Sequence, residues 1–163
     1  MSTITTDRIE KKIQLRHHQS KVWRALTDAQ EFSKWFGAVF TEPFKPGVRQ
    51  RGKVTHQGYE HMTMDVTIER MEPERLFSWR WHPGACEPGE DFSGEPTTLV
   101  VFELQEVPGG TLLTVVESGF DQIPIARRAK ALGENEEGWA MQMKAIEGYL
   151  GRSSQHGDEE RCA

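Results

Sequence analysis

TTLVVFELQEVPGGTLLTVVESGF, residues 97–120, decides how this chain folds. Two runs rich in Val, Leu and Thr flank Val107-Pro108-Gly109-Gly110, a strong turn signal. Thr98 to Glu106 and Leu112 to Ser118 therefore read as neighbouring antiparallel strands. Near the end of the second stands Glu117. Its direction stays open at this point, because Leu112, Leu113, Val115 and Val116 place apolar residues on both faces. Turned inward, its carboxyl is a candidate acid, base or ligand anchor; turned outward, it is an ordinary surface charge.

Upstream, FSWRW (77–81) puts Phe77, Trp79 and Trp81 on alternate positions, so the three rings share one strand face and Ser78, Arg80 and His82 the other. Met62, Met64, Val66 and Ile68 alternate in the same way, and Arg51 to His56 is a weaker strand. Ile9, Lys11, Ile13 and Leu15 define a first, half-buried strand. Between it and the sheet, Ser20 and Asp28 are candidate helix caps, since a short polar side chain can accept from an unpaired N–H of the first turn. Val22, Trp23 and Leu26, then Phe32, Trp35 and Phe36, give two short helices before Gly37. Downstream, residues 123–133 read as a basic linker or a short helix, with Arg127, Arg128 and Lys130. Asn135 is a candidate cap for a long final helix whose stripe is Trp139, Met143, Ile146 and Leu150.

The 163 residues suit one domain, expected to span residues 9–150, with a flexible leader (1–8) and a disordered polar tail (151–163). A chain of this size buries roughly 70% of its unfolded surface, so its core needs no metal or disulfide. The net charge of −5 argues against general nucleic-acid binding. Two cysteines, Cys86 and Cys162, cannot make a disulfide framework and read as reduced thiols of a cytoplasmic protein. No segment is apolar enough for a signal peptide or a membrane span.

The predicted fold class is α+β: a curved antiparallel sheet wrapped around a long C-terminal helix, with two short helices after the first strand. A sheet with one apolar face must cover it, and only the last helix is long enough. A curved sheet over a straight helix leaves a concave gap, the kind of place where small ligands bind.

SKVWRALTDAQEFSKWFG (20–37), PERLFSWRW (73–81), the 97–120 hairpin and GWAMQMKAIEGYL (138–150) follow one another in an order that resembles the heat-shock protein 90 ATPase activator-like branch of the START-like (helix-grip, SRPBCC) superfamily. The resemblance covers residues 9–150. It implies an N-terminal strand, two small helices, six further antiparallel strands and a long helix over the sheet. It also implies a stress-related role and a cavity for lipid-, hormone- or polyketide-like molecules, with no shared catalytic set. The eukaryotic activators carry a separate N-terminal domain that contributes much of chaperone binding; this chain has no room for one, so chaperone stimulation does not follow from the resemblance alone.

The expected function is non-enzymatic binding of a small hydrophobic or aromatic ligand between sheet and helix. The lining candidates are Trp35, Met64, Trp79, Trp81, Phe102, Phe120, Trp139 and Met143. Taken singly, each ring is more often plain core. The alternatives are a co-chaperone that activates a heat-shock ATPase, and a cyclase- or hydrolase-type enzyme using Glu117 or His82. No cofactor is expected, and an exposed edge strand leaves monomer and homodimer open. No nucleophile elbow, phosphate loop, dinucleotide fingerprint or HExxH motif occurs. His82 and Cys86 beside Glu87, Glu90 and Asp91 could be imagined as zinc ligands. Pro83 and Gly84 break any helix that would align them, so solvated loop residues are the better reading. The cations at 127–130 read as a solvated linker rather than an anion site.

Overall fold

The computed structural model describes residues 8–82, 94 and 96–162, with side chains as far as residue 152. Seven strands form one sheet in the order β1-β7-β6-β5-β4-β3-β2, antiparallel at every pairing. They are β1 (Arg8–Leu15), β2 (Ala38–Val39), β3 (Arg49–Val54), β4 (Thr63–Glu72), β5 (Leu76–Trp81), β6 (Thr98–Val107) and β7 (Gly110–Ser118). Helices α1 (Gln19–Thr27) and α2 (Ala29–Trp35) follow β1, and α3 (Ile125–Cys162) crosses the sheet after a single 3-10 turn. The fold is the α+β arrangement expected from the sequence. Among the described residues no helix is long and apolar enough to cross a membrane.

Period-2 burial sorts the strands. On β7, Leu113, Val115 and Glu117 are buried while Leu112, Thr114 and Val116 are half-exposed. Across the sheet, Ile68, Trp79, Val100, Glu117 and Ile9 are successive partners in one row on the covered face. The register of β4 shifts between Ile68 and Arg70, so Glu69 is the extra residue of a bulge and Met71 comes opposite Phe77. Such a bulge adds twist, which helps a sheet bend around a helix. On the open face, Arg80 bonds Glu69 at 2.9 Å and Arg49 grips Asp65 through two nitrogens. Exposed pairs of this kind contribute little to stability. Ser78 departs from the expected outward pattern: it is buried between Arg70 and Val101, its cross-strand partners.

The helices differ from expectation at their ends. Asp28 caps α2 by accepting from Gln30 and Glu31 N–H at 2.9 and 3.1 Å, as the sequence indicates. Ser20 does not cap α1; it lies inside that helix, and the ring Nδ1 of His18 accepts from its backbone N–H. Residues 125–133 are neither a linker nor a separate short helix but the opening turns of α3, and Asn135 is an interior position of that helix. The helix also continues through Gly151, where it was expected to stop. Its buried stripe starts at Ala131 and runs on through Trp139, Met143, Ile146 and Leu150. Gln142 Nε2 donates to the Phe36 carbonyl at 2.7 Å, and the Tyr149 hydroxyl donates to Glu31 at 2.9 Å. These bonds tie α3 to α2 and close the end of the sheet next to β2.

Two outcomes follow from these contacts. A Cβ on Gly110 would lie 1.9 Å from the Leu15 carbonyl oxygen, a backbone atom that cannot step aside. Gly110→Ala should therefore cost about 1–3 kcal/mol in a urea unfolding curve. Burial, reinforced by the bond to Glu31, pushes the Tyr149 pKa up to about 12. The unfolded phenol loses its proton first, so this contribution to stability is full below about pH 10 and lost as pH climbs toward 12. Unfolding curves between pH 9 and 12 should show that decline, and Tyr149→Phe should flatten it.

Candidate functional site

Glu117 is where the row of apolar residues is interrupted. Strand parity turns its side chain beneath α3, and its exposure is 0%. Trp81 Nε1 donates to Oε2 at 2.7 Å, and Thr98 Oγ1 donates to the same oxygen at 2.5 Å. Trp139 Nε1 donates to Oε1 at 2.8 Å. The Asn135 amide straddles both oxygens, at 2.8 and 3.0 Å. All four partners are neutral donors, as the acceptor lone pairs of a carboxylate require. Two of them, Thr98 and Trp139, are buried; Trp81 and Asn135 are only half-buried. The carboxylate thus has a closed inner side and a rim open to solvent.

Each partner is placed by an element with its own logic. Thr98 begins the inward set of β6 that continues with Val100, Phe102 and Leu104. Trp81 is the last inward residue of β5 and stands opposite Thr98. Asn135 lies four residues before Trp139, on the stripe that Ala131 begins. That spacing could have revealed Asn135 in the sequence as an inward residue; reading it as a cap hid the signal. Thr98 was legible only as a strand residue.

The lining candidates occupy the same interior. Trp79 is the hub: its ring centroid lies 5.2 Å from Phe102, 5.5 Å from Trp81 and 6.3 Å from Trp139. Phe32 and Phe36, which were not among the candidates, reach Trp79 at 5.9 and 6.0 Å from the helical side. Trp35 is one step removed, stacked edge-on to Phe32, with its indole N–H on the Ala25 carbonyl. Met64, Phe120 and Met143 are buried in the same core. The rings fill one another's faces, and of the two buried side-chain polar atoms without a partner among the described residues, Ser78 Oγ and Trp79 Nε1, the second lies in this cluster. Trp79 is 1% exposed.

His82 follows β5 and is half-buried, while Cys86, Glu87, Glu90 and Asp91 of the imagined zinc site lie outside the described residues. An open groove of about 490 Å³ lies at the other end of β7, where His17, His18 and Glu74 meet the Val107–Gly110 turn. Burial, then the nearby Lys21 charge, holds His17 below its ordinary pKa. This groove is polar and its Gly110 lies seven residues along β7 from Glu117, so it is separate from the ring cluster.

A family model described as Activator of Hsp90 ATPase homolog 1-like protein matches residues 16–151. The chain belongs to this family. Its fold is START-like, and solved structures agree. Protein MLL2253 from Mesorhizobium loti superposes with a TM-score of 0.70 at 23% identity, covering 89% of this chain and 97% of its own. The Aha1 dimer from Colwellia psychrerythraea gives 0.65 at 17% identity, covering 88% and 95%. CalU16 from Micromonospora echinospora gives 0.63 at 21% identity, covering 98% and 88%. No curated protein sequence matches the chain. At these identities the likeness to solved structures concerns the fold alone.

The bonds to Glu117 can be weighed against an ordinary indole bond. Trp139→Phe keeps a ring and removes one donor from a buried carboxylate, which should cost about 1–3 kcal/mol. Trp35→Phe removes a bond to a neutral carbonyl and should cost about 0.5–1.5 kcal/mol. Urea unfolding of both variants checks the order.

Proposed function

We propose that this chain binds a small hydrophobic or aromatic molecule between the sheet and α3, against Trp79, Trp81, Phe102 and Trp139, as a binding module rather than an enzyme. The observation that carries the reading is the buried Trp79 N–H without an acceptor. A buried donor left unpaired costs about 1–3 kcal/mol, and native interiors rarely tolerate one without a reason. A guest that places an oxygen or nitrogen lone pair on Nε1 relieves that cost. The same guest exchanges ring–ring contacts within the chain for ring–guest contacts. Met64 and Met143, also in this core, are unbranched and polarizable, which suits a wall that repacks. Entry is from the half-buried rim formed by Trp81 and Asn135.

The five tryptophans make the test direct. In protein labelled with 15N at the indoles, titration with quercetin, myristate, naphthalene and 2-naphthol should move the Trp79 resonance saturably for at least one compound. The response should be lost in Trp139→Ala. A Trp79 resonance that stays fixed across all four compounds overturns the proposal.

A further inference from the structure

Glu117 has more donors than its position on a packing face demands. Oε2 alone receives Trp81, Thr98 and one end of the Asn135 contact, while Oε1 receives Trp139 and the other. A carboxylate offers about four lone-pair sites, so the set is filled, with one amide shared between the two oxygens. The donors differ in what release would cost them. Thr98 and Trp139 are buried and would be left unpaired, whereas Trp81 and Asn135 stand at the rim, where water can take over their N–H groups. An apolar side chain at position 117 would continue the row Ile68, Trp79, Val100 and Ile9 without any desolvation cost.

Resting on the reading of the interior as a ligand site, we infer that Glu117 selects for a hydroxyl group on the guest: the site takes a hydroxylated aromatic or alicyclic molecule whose O–H replaces Trp81 or Asn135 on the carboxylate. Trp79 supplies the complementary end. It stands in the same cross-strand row as Glu117 with Val100 between them, about 10 Å away at the usual strand spacing. One end of the row therefore accepts a hydrogen bond and the other donates one. The inner donors, Thr98 and Trp139, keep the carboxylate aimed while the rim donors exchange. No bond is made or broken in the guest; the carboxylate acts as an anchor and a filter. A hydrogen bond to a charged group discriminates strongly against an analogue that lacks the donor, because the analogue displaces a rim donor and returns nothing.

The test compares 2-naphthol with 2-methoxynaphthalene, in which a methyl group replaces the donor hydrogen, by calorimetric titration of the full chain. 2-Naphthol should bind at least about tenfold more tightly. In Asn135→Ala, one competitor for the carboxylate is gone, so both probes escape the cost of displacing it and both should bind severalfold more tightly, with the preference for the hydroxyl kept. In Glu117→Gln the preference for the hydroxyl should shrink toward parity; if that protein does not fold, the rise in affinity in Asn135→Ala decides. A Glu117 that only fastens α3 to the sheet predicts no preference for the hydroxyl in any folded variant and no rise in affinity in Asn135→Ala. Equal affinities in the unmodified protein, with the Trp79 resonance still responding, overturn the hydroxyl rule and leave ligand binding standing. Binding of neither probe, together with an unmoved Trp79 resonance, overturns both.

Discussion

Glu117 lies under α3 with donors from β5, β6 and α3 closing on its two oxygens. Taking a carboxylate out of water costs several kcal/mol even after relaxation, and only good geometry with every lone pair engaged offsets that cost. Two of the four donors belong to the helix. Sliding α3 by one turn, about 5.4 Å, would carry Asn135 and Trp139 away and leave the charge exposed to apolar walls. The carboxylate therefore fixes the axial position of a helix whose apolar stripe, taken alone, would tolerate several. The seating of Trp139 among the rings goes with that constraint.

Around this point the interior is aromatic to an unusual degree. Phe32 touches Trp35, Phe36, Phe40, Phe44 and Trp79, mostly edge to face. Edge-to-face pairs gain from the ring quadrupole as well as from burial, so the two short helices are held by rings as much as by their brief hydrogen-bonded spans. The same rings bring their polar edges into the core. Trp35, Trp81 and Trp139 each find an acceptor, and Trp79 finds none among the described residues. A fold built for packing alone has little reason to choose indoles over phenyl rings at four neighbouring positions. A fold that also receives a polar-edged guest has one.

Much of this was open to a reader of the sequence because periodicity is a local property. Val107–Gly110 marks the hairpin, FSWRW alternates, and the stripe through Leu150 recurs every three or four residues. Errors came where a residue's role depends on something distant. Asn135 looks like a cap when only its neighbours are visible, since its true partner is a carboxylate eighteen residues back on another element. Ser20 yielded the capping role to His18 because the helix starts earlier than expected and the His18 ring nitrogen accepts from the backbone N–H of Ser20 itself. Glu117 could not be oriented at all from β7, whose two faces are both largely aliphatic.

The sequence by itself determined the element types, their order and which strand faces carry rings, because hydrophobic alternation and turn chemistry act over a few residues. Tertiary structure alone decided that a charge would stand in the middle of an apolar row, which donors would surround it, and that one indole N–H would be left unpaired. Those outcomes depend on which residues the sheet's registers and the helix's position bring within about 3 Å of one another, and neither is written in any single segment.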